Sequence, residues 1–381
     1  MNSIYFDHAA TTPMHPAAIE AYVEAASAGP SNPSSLHASG RAARERVSVA
    51  RDRLAEMLGC SPAEIVFTGS GTESDNAALF GAARAQRSRG RSAVVTTAVE
   101  HHAVLNACRQ LEQEGFELTI LPVDEYGRVR LEDARAAIGE RTAIVSAMAA
   151  NNETGTLQPI AEIGEWARRH GALMHVDAVQ AFGYLPIDLR ELPIDLLSVS
   201  AHKVNGPQGV GLLYVRKGTP WQPMLRGGSQ ERSRRAGTEN VAGIAAFAAA
   251  ADIAVRQRQD RWDHAERVRA EALRQLSAQL GAERFAVNGH PDDRLPHILN
   301  VSFPGISSES MLMSLDLAGL AASGGSACNS GSLKPSHVLE AMRLPSDKIA
   351  SAVRFSFGLG NTMEQAEKMA KIIATISARY A

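Results

Sequence analysis

The sequence predicts an α/β fold built on a largely parallel sheet, followed by a smaller α+β domain. Two observations carry this. From about residue 45 to 215, short β-branched or apolar runs alternate with helical patterns. Alternation at that spacing gives parallel strands covered by helices on both faces. The chain is also 381 residues long and 45% hydrophobic, more than one compact core of about 100–200 residues usually holds.

The elements follow in order. Strand candidates lie at 64–67 (EIVF), 93–97 (AVVTT), 117–121 (ELTIL), 143–148 (AIVSAM), 172–176 (ALMHV), 195–200 (DLLSVS) and 210–215 (VGLLYV). Seven strands are therefore expected in the main sheet. Helical patterns separate most of them, for example 160–170 between the fourth and the fifth. The last two runs are joined only by HKVNGPQG, too short for a parallel crossover, so one of them runs antiparallel. Residues 241–280 read as one long helical pattern, apolar first and then rich in Arg and Glu. Its second half reads as a solvated helix leading out of the first domain. Strand-like runs return at 297–303, 320–323 and 352–357. A C-terminal helix then opens on Thr362 with Gln365 three residues on, the spacing of a capping box. Its apolar face is Ala366, Met369, Ala370 and Ile373. The expected division is a segment 1–15 joining the small domain, a large domain 16–255 and a small domain 256–381.

Composition excludes several classes. Lys plus Arg (39) nearly balance Asp plus Glu (41), a formal charge of −2. With no basic run, direct nucleic-acid binding is not expected. High hydrophobicity with low net charge argues against disorder. Cys60, Cys108 and Cys328 lie far apart with no CxxC, which excludes a disulfide framework or zinc cluster. The start, MNSIYFDHAATT, has no basic segment followed by an apolar one, so no secretory signal is expected. The most apolar stretch, 241–255, is shorter than the ~20 residues of a membrane span and contains Asp252. A soluble, cytoplasmic protein is expected.

Ligands of open α/β sheets bind beyond the carboxyl ends of the strands, so the residues after each strand are the ones to inspect. Ser200-Ala-His202-Lys203 follows 195–200, with glycines at 206, 209 and 211. A lysine there can form a Schiff base if its amine is partly desolvated; alone, it fits a surface charge as well. Asp177 ends the 172–176 run, with Gln180 one helical turn on. Its carboxylate can keep a pyridinium nitrogen protonated, or cap the next helix. Thr68-Gly-Ser-Gly71-Thr72-Glu73 precedes a helical pattern. Its backbone N–H groups can hold a phosphate at the helix start, or it is a plain glycine-rich turn. It matches neither dinucleotide nor nucleoside-triphosphate loops.

Glu100-His101-His102 follows 93–97. A histidine there can stack on a planar cofactor and move protons; no third ligand stands at metal-site spacing. Asn151-Asn152-Glu153 is most simply a turn, and Asn152 can bond a ligand. Cys328 sits in SGGSACNSGS, a Gly/Ser-rich segment in which a thiol is available to react, or is only a surface thiol. Cys60 and Cys108 are assigned to packing. Arg354, in AVRFSF, can grip a carboxylate bidentately, or simply face solvent.

Together and in this order, these segments resemble the cysteine desulfurases, pyridoxal 5'-phosphate (PLP) enzymes of fold type I in the class V aminotransferase group. The shared motifs run along nearly the whole chain: YFDHAATTP, SNPSSLH, FTGSGTESDN, VEHHAVLNAC, ANNETGTLQPI, HVDAVQAFG, SVSAHKVNGPQGVG, RRAGTEN, ASGGSACNSGSLKPSHVL and AVRFSFG. The long cysteine loop is similar to that of the nitrogen-fixation and iron–sulfur-cluster subclass. The resemblance implies Lys203 as the Schiff-base lysine, Asp177 on the pyridine nitrogen, Gln180 on the ring hydroxyl and His101 stacked on the ring, also serving as acid or base. Gly71, Thr72, Ser200 and His202 would hold the phosphate. Thr238, in the RRAGTEN loop, would reach the phosphate of a partner subunit, which implies a homodimer with shared sites. Asn152 would touch both cofactor and substrate, Arg354 would bind the substrate carboxylate, and Asn32 would lie at the entrance. Cys328 would accept sulfur from L-cysteine, leaving L-alanine and a persulfide. A sulfur-acceptor protein, either an iron–sulfur scaffold or a tRNA-thiolating enzyme, would then take it. Asn329 stands where the family often has Thr or Ser, a change that leaves the thiol untouched.

Overall fold

The computed structural model describes residues 3–30, 32–325 and 335–380. The short strand β1 (Ile4–Tyr5) comes first. The main sheet contains β2 (Ile65–Thr68), β3 (Ala93–Thr97), β4 (Glu117–Leu121), β5 (Thr142–Met148), β6 (Leu173–Asp177), β7 (Leu196–Ser200) and β8 (Gly211–Val215), in the order β2-β8-β7-β6-β5-β3-β4. The antiparallel member is β8, which opposes both β2 and β7; the other neighbours pair in parallel. Only about ten residues join β7 to β8, and a parallel return needs a dozen or more.

Every residue of β5, β6, β7 and β8 is buried, because helices cover both faces and leave no solvated side. The alternating side chains divide between two apolar clusters. Val95, Val145, Val176, Val199 and Leu212 point into one; Val94, Ile144, Leu196 and Leu213 point into the other.

The run 241–280 is two helices, Val241–Arg256 and Arg258–Leu280, that meet at Gln257. Neither Gly nor Pro marks the joint, so periodicity alone reads straight through it. What separates the two helices is their packing partners. Phe247 and Ala251 pack in the cluster under the main sheet, whereas Val268, Ala272 and Leu276 pack in a separate one. The second helix is thus not the solvated connector expected: one face of it is core.

That separate cluster is built on a three-stranded antiparallel sheet, β9 (Ala286–Asn288), β10 (Ile298–Ser302) and, after β11 (Leu320–Ala321), β12 (Ala352–Ser356). The helix Met363–Ser377 closes it, with Ala366, Met369, Ala370 and Ile373 buried. Thr362 and Gln365 cap that helix reciprocally, each side chain accepting from the other's backbone N–H at 3.3 Å. β1 pairs in parallel with β11, and Ile4 and Phe6 enter the same cluster. Val338, Leu339 and Met342 instead pack under the main sheet. Among the described residues no helix is long and apolar enough to cross a membrane.

Candidate active site

The carboxyl ends of β2, β3, β5, β6 and β7 open on one cavity. Gly71, Thr72, His101, Asn152, Asp177, Gln180, Ser200, His202, Lys203 and Arg354 all line it. Ten of the expected residues, drawn from six strands or their following turns, therefore meet at one place.

One end of the cavity suits an anion. Ser70 caps the helix Gly71–Arg87, its Oγ accepting from Glu73 N at 3.1 Å, and the first N–H groups of a helix have no partner within it. Gly71 is required by close approach: a Cβ there would lie 2.7 Å from Val179 Cγ2. The Thr72 hydroxyl stands beside it. Ser200 Oγ, at the end of β7, is buried and has no hydrogen-bond partner. His202 Nδ1 lies 3.1 Å from Thr11 Oγ1. The one acid in this helix's first turn, Glu73, is tied to Arg235 at 2.8 Å and accepts from Gly69 N at 2.7 Å.

At the other end stand Asp177 and Lys203. Asp177 Oδ1 accepts from Val179 N at 2.9 Å; the residues after it form turns rather than a helix, so it caps no helix. Lys203 Nζ donates to the carbonyl oxygens of Ala9 and Ala10, so the N-terminal segment crosses the lysine. Gln180 Nε2 donates to the same Ala9 carbonyl at 2.9 Å. Burial pushes the Asp177 carboxyl up to about 6, against the opposing effects of the Val179 N–H and the Lys203 charge. Asp75, on the helix Gly71–Arg87, lines the cavity too. Its carboxyl is held well above the usual range, first by burial and then by the Asp177 charge. Two buried carboxyls side by side resist being ionised together, so the site suits a ligand that brings a cationic N–H.

His101 caps the helix His102–Gln113, its Nδ1 accepting from Ala103 N at 3.1 Å. Burial, then the Lys203 charge, lowers its pKa to about 4. The ring is neutral near pH 7, and with Nδ1 accepting from Ala103 N its proton sits on Nε2.

Arg354 is 1% exposed, which removes the solvent-facing reading of β12. Its guanidinium donates to the Asn152 carbonyl at 2.8 Å and to Asp7 Oδ1 at 2.9 Å. Asp7 supplies the counter-charge that a buried cation needs. Asn151 builds the adjoining turn, its Oδ1 accepting from Glu153 N and Thr154 N at 2.8 and 2.9 Å.

Two expected residues are not brought to the cavity. Thr238 is exposed, and so is Asn32, whose Oδ1 accepts from Ser34 N at 2.9 Å. The loop before Thr238 is strained: Glu231, Arg232 and Ser233 have φ of 48°, 58° and 63°, each costing about 1–3 kcal/mol. A buried ion pair, Glu231 to Arg51 at 2.6 Å, holds it. Cys328 lies outside the described residues. Burial raises the thiols of Cys60 and Cys108 to about 12, which suits packing and not reactivity.

Sequence reasoning missed Asp7, Asp75 and the carbonyls of Ala9 and Ala10. Asp75 was findable, since it stands four residues after Gly71 and so shares its helix face. The carbonyls left no signal, because any residue supplies one.

With this geometry in hand, comparison with known proteins is decisive. The aminotransferase class-V family profile matches residues 4–369. A relative from Bacillus subtilis, IscS 1, is 47% identical over 100% of both chains. The cysteine desulfurase IscS of Methanosarcina thermophila is 44% identical over 98% of this chain and 92% of its own. This chain belongs to the class-V aminotransferases, in the cysteine desulfurase group. Among solved structures, a NifS-like protein matches with a TM-score of 0.91 and 36% identity, covering 99% of this chain and 100% of that one. For a cysteine desulfurase the cavity has suitable parts: an orphaned buried hydroxyl at Ser200 and a helix start for a phosphate, and a carboxyl pair for a ring N–H. The residues fit pyridoxal phosphate.

Proposed function

We propose that this chain is a PLP-dependent cysteine desulfurase that forms L-alanine from L-cysteine and keeps the sulfur as a persulfide on Cys328. The observation that carries the reading is the convergence of Lys203, Asp177, the Gly71 helix start and Arg354 on one cavity.

Lys203 would carry the cofactor covalently through Nζ. Gly71, Thr72, Ser200 and His202 would hold its phosphate, Gln180 its ring hydroxyl and Asp177 the proton on its ring nitrogen, with His101 against the ring. Bound PLP supplies an electron sink for the pair left at the substrate Cα. Arg354 and Asn152 orient the substrate, the guanidinium on its carboxylate, and Lys203 Nζ takes the Cα proton once released. The Cys328 thiolate attacks the substrate sulfur. An S–S bond forms, and the C–S bond breaks with its electron pair going to the three-carbon fragment. That fragment takes up one proton at Cβ and, from Lys203 Nζ, one back at Cα, and leaves as L-alanine.

The remaining assignments belong to the same reading. Thr238 acts across a homodimer, which accounts for its place away from the chain's own cavity. Asn32 lies near the entrance. The chain divides into residues 1–15, 16–255 and 256–381, works in the cytoplasm, and hands sulfur to an iron–sulfur scaffold or a tRNA-thiolating enzyme.

The test is intact mass spectrometry after L-cysteine, with Cys328→Ala alongside. A gain of one sulfur atom on the native protein, absent from the variant, is expected. If the variant gains sulfur equally, Cys328 is not the acceptor. Lys203→Ala should abolish alanine formation; normal turnover would refute the lysine assignment.

A further inference from the structure

The turn that presents Asn152 to Arg354 also presents Glu153, which the reaction as described does not use. Glu153 is fully buried. Its Oε2 accepts from Ser336 Oγ at 2.5 Å, and its Oε1 is buried with no partner. The same oxygen also lies against Gly325: a Cβ there would meet Glu153 Oε2 at 2.7 Å, at a φ of +112° that already favours glycine. Gly325 and Ser336 lie on either side of residues 326–334, which include Cys328. One carboxyl therefore touches both described ends that flank the sulfur-accepting segment.

The upstream end is tied to the substrate arginine as well. Ser323 and Arg354 pair through their backbones, Arg354 N donating to Ser323 O at 2.6 Å and Ser323 N to Arg354 O at 3.1 Å. The Arg354 side chain returns to the Asn152 carbonyl, one residue before Glu153. Ser336 Oγ also accepts from Leu339 N at 3.2 Å, and Leu339 is core. The chain on each side of the cysteine is thus fastened to the turn that holds the carboxylate-binding arginine.

We infer that Glu153 is a positioning residue for sulfur transfer: it registers the two ends flanking Cys328 against the substrate held by Arg354. This rests on the desulfurase reading above. Cα deprotonation needs no thiol, whereas the S–S bond forms only if Sγ reaches the substrate sulfur in line. The two steps should therefore respond differently to loss of the Glu153 contact.

The experiment uses the PLP-loaded full chain and L-cysteine in single turnover. The cofactor's absorbance change reports substrate binding and Cα proton removal; intact mass reports sulfur gained on Cys328. In Ser336→Ala and Glu153→Ala, the absorbance change should stay within about twofold of the native rate. Sulfur gain should slow about tenfold, within the cost of a slight misplacement of reacting atoms. Glu153→Gln, which keeps an acceptor for Ser336, should largely restore transfer. Native-rate sulfur gain in Ser336→Ala overturns the inference. So does an equal fall in both signals, which marks a general structural role. Should Glu153→Ala not fold, Ser336→Ala decides alone. If the native chain itself gains no sulfur on Cys328, the desulfurase reading has failed and this inference with it.

Discussion

Removing the Ser200 hydroxyl should have opposite effects on the empty and the loaded protein. Ser200 Oγ is buried and has no hydrogen-bond partner within the protein. An unsatisfied buried hydroxyl costs about 1–3 kcal/mol. Ser200→Ala removes that cost and opens only a small cavity, so the apo protein should unfold at the same temperature or higher. On the proposed reading, the same hydroxyl would donate to a phosphate oxygen of bound PLP. A hydrogen bond to a charged group contributes about 1.5–3 kcal/mol, which corresponds to about a ten- to 150-fold weaker Kd on its loss. Thermal melts of apo and loaded protein, with a PLP titration followed by fluorescence quenching, measure both effects. A variant that destabilises the apo protein and binds PLP normally would show that Ser200 is a packing residue, and the phosphate assignment would fall.

Three further predictions follow from the same geometry. Burial raises the Glu100 carboxyl to about 8, so between pH 4.5 and 8 the native state holds a proton that the unfolded chain releases. Stability then falls by about 1.4 kcal/mol per pH unit as pH rises through that window. Glu100→Gln should therefore melt higher relative to the native protein at pH 9 than at pH 5, and an unchanged difference would refute the assignment. Arg354→Lys loses the planar fork that binds a carboxylate and should raise KM for L-cysteine about tenfold or more, with a smaller effect on kcat; steady-state alanine formation tests this. Iodoacetamide near neutral pH should spare Cys60 and Cys108, whose thiols burial pushes up to about 12. Peptide mapping should find the label on Cys328, and prompt labelling of Cys108 would contradict its burial.

Much of the site was legible in the sequence because strand ends are legible. Once β6 and β7 were recognised as β-branched or apolar runs, Asp177, Ser200 and Lys203 were placed at the carboxyl edge of the sheet by chain order alone. Gly71 and Thr72 followed from the helix start after β2. The short connection between β7 and β8 showed that one of the two runs antiparallel, and the pairing of β8 with β2 as well as β7 made it β8. These are local features: period, turn composition and loop length are written within ten or so residues. The joint at Gln257 was not legible, because periodicity continues across it and only the two separate cores pull the halves apart.

Sequence by itself determined the strand order's raw material, the residues that could hold a cofactor, and the family. Tertiary structure alone decided which groups face those residues. Asp7 became the counter-ion of Arg354, 347 residues away in the chain. Asp75 came to line one cavity with Asp177, and Glu153 to touch Gly325 and Ser336 on either side of the segment that carries Cys328. Such pairings depend on burial and on distances through space, and a one-dimensional pattern carries neither.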